Sequence, residues 1–362
     1  MKRRIFITGA TGLIGGHLTA ALIDDPEMDL HILVRAASDA AAAERIRRVL
    51  AFVGREDGLG RLTIHRGDLT QPDLGLGRDA AARLGAAVTD IVHAAADIAF
   101  DDRRQSGRSA LTNVTGTRRV LQLCSPATRF FHLSTAYVAG LHPHLFAEAD
   151  LDVGQVFRND YERSKFEAEQ LIRAAFADRP KQLTVLRPSI VLGSSDTART
   201  FQYSSLYAML GLLRHTAQDA PGARLAFDYD PDATQNYVPV DWLVRWLAHI
   251  VRNPDCLGRT YHLVSERPIT NREMGRLLGE LLGVSFEPRP VPPARLDPVS
   301  RRFVRQAAPY LPYLASHPRF DCAARRRLPA GDVDFRPDAR FLNAMLVHCL
   351  KTNWGRNLDL AR

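Results

Sequence analysis

Tyr161 and Lys165 stand four residues apart in the run Tyr161-Glu162-Arg163-Ser164-Lys165, which continues as Phe166-Glu167-Ala168-Glu169-Gln170-Leu171-Ile172. On a helix that spacing puts both side chains on one face. The chemistry would be that of an acid–base pair. A phenol with a pKa of about 10 is a poor acid–base group near neutrality, and an adjacent ammonium favours the phenolate. Tyrosine and lysine meet at this spacing often by chance. Lysine is scarce in this chain, however, being confined to Lys2, Lys165, Lys181 and Lys351, so its placement here is less easily accidental. Two hydroxyls, Ser134 and Thr135, follow the run Phe130-Phe131-His132-Leu133, which predicts a strand. In open α/β sheets the C-terminal strand edge is where ligands bind.

The element that must position such a site lies at the start of the chain. Ile5-Phe6-Ile7 suits a buried strand, and Thr8-Gly9-Ala10-Thr11-Gly12-Leu13-Ile14-Gly15-Gly16 turns it into a helix continued by Leu18, Ala21, Leu22 and Ile23. Glycine turns also occur without ligands. Between a strand and a helix, though, Gly9, Gly12 and Gly15 permit the tight reversal, the approach of backbone to a pyrophosphate, and close helix–strand packing. The helix N-terminus then offers free N–H groups to phosphates. The next apolar run, Leu30-His31-Ile32-Leu33-Val34, closes on Arg35. An acidic residue there would bond the ribose 2′-hydroxyl of NADH; arginine suits a 2′-phosphate and predicts NADPH. Arg45, Arg47 and Arg48 follow on an alanine-rich helix, mostly as a solvated face, with Arg45 counted beside Arg35 as a cofactor contact.

Further strands are expected at Leu62–His65, before Gly67-Asp68-Leu69, and at Asp90–His93, before Ala94-Ala95-Ala96. Those alanines either leave room for a cofactor or allow tight helix packing. Asn113 opens a helix running through Leu123, and Thr184–Gly193 reads as a sixth strand. Residues 194–235 lack the alternation, apart from a helix over Leu206–Leu213. A strongly apolar helix, Trp242–Val251, and a strand at Thr260–Val264 then return to the sheet, and another helix spans Asn271–Leu282. The alternation makes the fold α/β, a Rossmann-type doubly wound parallel sheet, with a smaller, mostly helical C-terminal substrate domain. The boundaries follow as 1–193 plus 236–264 for the dinucleotide-binding part, and 194–235 plus 265–362 for the other. The segment Arg295–Arg327 mixes arginines with Tyr310, Leu311, Tyr313 and Leu314. It reads either as a solvated basic face over a local apolar cluster or as a lid for an apolar chain, with arginines gripping a phosphate-bearing arm.

Composition bounds the function. At 362 residues the chain can bury a large core, and 46% hydrophobic with 24% charged residues is ordinary for a globular protein. No run approaches the roughly 20 apolar residues of a membrane helix. The chain enters its first strand at once, with no signal peptide, and Cys124, Cys256, Cys322 and Cys349 lack paired spacing; both point to a cytoplasmic protein without a metal site. The net charge of +8 is dispersed and arginine-borne. It reflects coding preference or attraction to polyanions such as phosphate-bearing cofactors or an acidic carrier protein, and no recognition motif accompanies it to indicate nucleic acid.

Taken in order, Thr8-Gly9, Gly12, Gly15, Asp68-Leu69, Asn113 and Tyr161/Lys165 make residues 3 to 265 resemble the extended short-chain dehydrogenase/reductase superfamily. The blocks Gly67 to Leu76, Val92 to Ala96 and Leu133 to Gly140 resemble more narrowly the branch holding thioester reductase domains, carboxylic acid reductase termini and fatty acyl-CoA reductases. The resemblance implies NADPH-dependent reduction of an acyl thioester, on coenzyme A or an acyl carrier protein, to aldehyde or alcohol. It places the phosphate loop on Gly9, Gly12 and Gly15 with Thr11, Leu13 and Ile14, and the 2′-phosphate on Arg35. Asp68 and Leu69 would flank the adenine, Ala94, Ala95 and Ala96 would line the cofactor path with Asn113, and Pro188, Ser189 and Ile190 would sit near the nicotinamide. Thr135, Tyr161 and Lys165 would be the catalytic group, with Lys165 holding the nicotinamide ribose and depressing the tyrosine pKa. A ketoreductase or epimerase with the same triad, and a non-catalytic NADPH sensor, are the competing readings. Past about residue 265 no motif matches.

Overall fold

The computed structural model describes residues 2–98, 100, 107–316, 318–328 and 335–358. Its centre is a seven-stranded parallel sheet. The strands are β1 (Arg3–Thr8), β2 (Met28–Val34), β3 (Leu62–Arg66), β4 (Asp90–His93), β5 (Arg129–Leu133), β6 (Leu183–Pro188) and β7 (Thr260–Leu263). Their order across the sheet is β3-β2-β1-β4-β5-β6-β7, so the chain reverses direction between β1 and β4. Ile5 pairs with Leu30 on one side and Asp90 on the other. The C-terminal ends of β1 and β4 thereby open side by side, at the point where a parallel sheet forms a ligand crevice.

Strand alternation sorts the core. Ile5 and Ile7 point into one layer with Ile32, Val34, Val92 and Phe131, against Leu18 and Leu22 of α1 (Leu13–Leu22) and Trp242 and Trp246 of α7 (Val240–Arg252). Phe6, Leu33, Ile91 and Phe130 point the other way, toward Leu84 of α3 (Arg78–Ala87) and Ile172 of α5 (Asp160–Ala175). Helix α2 (Asp39–Phe52) covers the β2 end, and α4 (Gly116–Leu121) precedes β5. No helix is long and apolar enough to cross a membrane among the described residues.

The strand expected over Thr184–Gly193 breaks at Ser189. Its second half, Ile190–Leu192, leaves the sheet to pair with Tyr237–Pro239. The stretch 194–235 is more ordered than its sequence indicated. The helix begun at Leu206 runs to Asp219 (α6), and Arg224–Phe227 forms a parallel pair with Ser285–Pro288. Around them α8 (Asn271–Leu282), α9 (Pro298–Ala307) and α10 (Ala339–Thr352) close a second core of Leu206, Leu210, Phe227, Leu278, Phe303, Phe341 and Met345.

Candidate active site

The turn after β1 is as tight as its glycines allow. Gly9 has φ +79°, and a Cβ there would lie 2.6 Å from the Ala95 amide nitrogen. A Cβ on Gly15 would lie 2.2 Å from the Gly9 carbonyl oxygen, closer than any real contact. Only glycine lets β1, the turn and α1 approach this closely. Helix α1 then begins at Leu13 with no side-chain cap and no acidic residue in its first turn, leaving its N–H groups and positive end to face the cleft.

One cavity of about 600 Å³ runs from this turn across the sheet edge into the second core. Among the residues predicted as cofactor contacts, Gly9, Thr11, Gly12, Leu13, Ile14, Gly15, Arg35, Arg45, Asp68, Leu69, Ala94 to Ala96 and Pro188 to Ile190 all line it. So do Thr135, Tyr161 and Lys165.

Asn113 does not line it. It sits in a π turn (Ala110–Thr115), where its Oδ1 accepts from the Asp97 amide at 2.8 Å. Its Nδ2 donates to the Asp97 carbonyl and the Ser164 hydroxyl, both at 2.9 Å. Those bonds fasten the loop after β4 to α5 from behind the cleft wall. The structure thus brings Asn113 to the Asp97 loop and α5 rather than to the cavity wall, with its amide group already engaged.

At the β2 end two guanidiniums converge. Arg45 donates from Nη1 to the Arg35 carbonyl at 2.8 Å, while its buried Nε has no partner. Burial and then the charge of Arg35 lower the pKa of Arg45. Like charges held together, with a buried donor unsatisfied, are what an anion would relieve. Asp68 is occupied with its own turn, accepting from the amide and hydroxyl of Thr70 at 2.8 Å each.

The reactive hydroxyls meet at the β5 and α5 ends. Ser134 turns inward, donating to Glu169 Oε2 at 2.7 Å. Glu169 is fully buried, and although burial opposes it, Arg187, Arg173 and Ser134 hold its carboxyl below the usual range. Thr135 instead faces the cleft, donating to the Pro188 carbonyl at 3.4 Å, accepting from the Tyr137 amide at 3.2 Å, and hydrogen-bonded to Tyr161. The Asn159 side chain caps α5 by accepting from the Glu162 amide at 3.0 Å, which sets Tyr161 and Lys165 one turn apart.

Lys165 is buried and donates to the Leu133 carbonyl at 2.7 Å. Burial pulls its pKa down to about 8, with Glu169 opposing. Burial likewise pushes Tyr161 up to about 12; the bond from Thr135 lowers it, Glu162 raises it, and Lys165 is not among the acting groups. The expected depression of the phenol pKa by Lys165 is therefore not met. The ammonium is held against the strand end, and desolvation dominates.

Sequence reasoning named Tyr310 and Tyr313 in the lid reading of the 295–327 segment but did not pick out Phe100 or its ring contacts with them. Phe100 stacks on Tyr313 at 5.5 Å and lies 6.1 Å from Tyr161, and Tyr137 meets Tyr313 edge-on at 5.4 Å. Tyr310, Tyr313 and Leu314 line the cleft, so the apolar part of the 295–327 segment does reach it. Its arginines do not: Arg302 pairs with Asp219, and Arg325 and Arg326 pair with Glu266. Among the described residues, the arginines lining the cleft are Arg35, Arg45 and Arg108.

A family model described as male sterility protein matches residues 7–247. The chain belongs to this family. The matched family is an NAD-binding one, and the chain is an oxidoreductase with the extended short-chain dehydrogenase/reductase fold. It is 30% identical over 281 residues, 72% of its length, to a non-canonical nonribosomal peptide synthetase, cpsA, of Aspergillus campestris, covering 25% of that protein. It is 27% identical over 289 residues to a carboxylic acid reductase of Mycobacterium tuberculosis, covering 73% of this chain and 24% of that one. The chain thus spans about a quarter of the length of the curated relatives it matches. In fold it is similar to the terminal R domain from the myxalamid PKS-NRPS biosynthetic pathway, with a TM-score of 0.80, 24% identity, and coverage of 99% of this chain and 93% of that one.

Proposed function

We propose that this male sterility protein family member is an NADPH-dependent reductase of acyl thioesters, carried on coenzyme A or an acyl carrier protein, in a reducing compartment such as the cytoplasm. The observation that carries the reading is the continuity of one cavity from Arg35 and Arg45, past Thr135 and Tyr161, to an apolar chamber lined by Leu213, Phe227, Met274, Leu278 and Phe303. A nucleotide fits the first part and an apolar acyl group the last. The residues present fit the cofactor: the glycine turn leaves no room for side chains, and the orphaned Arg45 Nε stands at the 2′-phosphate end.

NADPH held by the glycine turn, Arg35 and Arg45 would supply the hydride that the thioester carbonyl carbon accepts. As negative charge develops on the carbonyl oxygen, the hydroxyls of Thr135 and Tyr161 donate to it. With its pKa pushed up to about 12, Tyr161 meets that oxygen as a neutral donor with its proton in place. Collapse of the adduct breaks the carbon–sulfur bond and gives the aldehyde. The proton from Tyr161 goes to the departing thiolate; reduction on to the alcohol would take a second NADPH and a Tyr161 reprotonated from solvent, which then protonates the alkoxide. Lys165, one turn on, orients the nicotinamide ribose.

NADPH oxidation and thiol release, measured together over a panel of acyl-CoA and acyl-pantetheine thioesters, test the proposal. Stoichiometric thiol is expected. Oxidation of NADPH by a simple ketone, with every thioester inert, would transfer the site to ketoreduction.

A further inference from the structure

Few polar atoms in the cleft lack a partner, and where they lie is informative. Gln235 donates to the Tyr313 carbonyl at 2.6 Å, and Asn271 donates to the carbonyls of Asp230 and Leu314 at 2.8 Å each. Thr135 is engaged with Pro188. Among the described residues, the buried side-chain atoms of the cleft wall without a partner are Arg45 Nε, Ser189 Oγ and Tyr137 Oη. Arg45 lies at the nucleotide end, and Ser189 follows the strand end beside which the nicotinamide is proposed to lie. Neither accounts for Tyr137.

Tyr137 is 5% exposed. Its ring packs edge-on against Tyr313 at 5.4 Å and Phe320 at 6.1 Å, both from the C-terminal segment, so it belongs to the acyl side of the site. Its backbone amide donates to Thr135 Oγ1, which ties it to the reacting centre. The Asn236 backbone amide is directed at the phenolic oxygen, which can only accept from it, and the hydroxyl proton itself has no acceptor. A buried donor left unmade lowers stability, and one that lines a ligand cleft can be completed by what the cleft binds. Burial also holds this phenol well above its ordinary pKa, so it stays a donor.

We propose that Tyr137 is a specificity-determining donor, giving its hydrogen bond to an acceptor oxygen that the acyl group carries beside the reacting carbonyl. The substrates would then be acyl thioesters bearing an amide or hydroxyl oxygen at that place, in preference to plain alkanoyl thioesters. This inference rests on the thioester reading. A phenylalanine at 137 would leave the ring and its packing, so only the hydrogen bond is lost.

The test compares Tyr137→Phe with the unmodified chain on three N-acetylcysteamine thioesters: an N-acylaminoacyl thioester, its hydrocarbon analogue of equal length and branching, and a 3-hydroxyacyl thioester. The readout is the ratio of kcat/KM for each oxygen-bearing substrate to that for the hydrocarbon. In the unmodified chain at least one ratio should exceed unity by roughly tenfold, and Tyr137→Phe should bring it close to unity, since a neutral hydrogen bond is worth about that factor. Which ratio falls identifies the oxygen as amide or hydroxyl. Equal losses on all three substrates, or none, overturn the proposal: the first makes Tyr137 structural or a donor to the reacting oxygen, the second makes it idle. NADPH titration of the variant checks that the fold is intact. The matched aldehydes are run in parallel. Turnover of aldehydes without thioesters refutes the thioester reading while the Tyr137 ratio is still read, and no turnover of either refutes both.

Discussion

If the proposed NADPH site is right, removing either guanidinium at the end of β2 should erase the preference for NADPH over NADH. Arg35 and Arg45 line the same end of the cleft, and Arg45 Nη1 is held on the Arg35 carbonyl at 2.8 Å while Nε is buried without a partner. A 2′-phosphate placed there would accept from both. Charge-assisted hydrogen bonds are each worth about 1.5–3 kcal/mol, so Arg35→Ala or Arg45→Ala should weaken NADPH roughly ten- to a hundredfold. NADH carries a hydroxyl at that place, and its affinity should change by less than about threefold. The like-charge pair also predicts the apo protein's response, since removing one member relieves repulsion and frees the other from a desolvated neighbour. The melting temperature of either variant without cofactor should therefore be unchanged or higher. The assay is a fluorescence titration with both dinucleotides, repeated at increasing salt. NADPH binding by the unmodified chain should weaken as screening grows, the Debye length being about 8–10 Å at physiological ionic strength. Equal losses for NADPH and NADH, or equal affinities before mutation, would refute the assignment.

Tyr161→Phe should lower kcat by roughly a hundredfold or more, as expected for loss of a general acid, with NADPH affinity nearly unchanged; Tyr137→Phe should not reproduce that profile. Lys165 has a folded pKa of about 8, below its unfolded value, so the unfolded chain binds more protons between the two and stability should rise with pH across that window. Lys165→Met should accordingly raise the melting temperature at pH 7 and lose that advantage above about pH 10.4, where unfolded lysine is also neutral, while abolishing turnover. Glu169→Gln, which leaves Arg187 buried without its carboxylate, should destabilise by about 3–5 kcal/mol in denaturant melts, and a neutral outcome would show that the network is dispensable. Gly15→Ala should abolish NADPH binding, because its Cβ would overlap the Gly9 carbonyl.

The sheet and its ligand edge were legible because short continuous apolar runs and glycine spacing are local signals. Ile5, Phe6 and Ile7 announce a strand buried on both faces, and both faces are indeed packed. The second core was not legible for the opposite reason. Arg224–Phe227 and Ser285–Pro288 are four-residue strands separated by two helices, and nothing within either announces the pairing. Asn113 shows the limit of a motif. Whether an amide meets a ligand or a loop depends on what else reaches it, here Asp97 and Ser164. The same holds for Tyr161 and Lys165. Their spacing puts them on one face, whereas the depth of burial that sets both pKa values belongs to the tertiary structure.

The central claim, hydride transfer to a thioester carbonyl with expulsion of the thiol, is tested most directly by a single turnover with NADPH deuterated at the transferable position. The aldehyde should carry one deuterium on its carbonyl carbon, and one thiol should appear for each NADPH consumed. Thiol release without deuterium in the product would mean hydrolysis, and deuterium transfer without thiol release would mean ketone reduction; either would contradict the account.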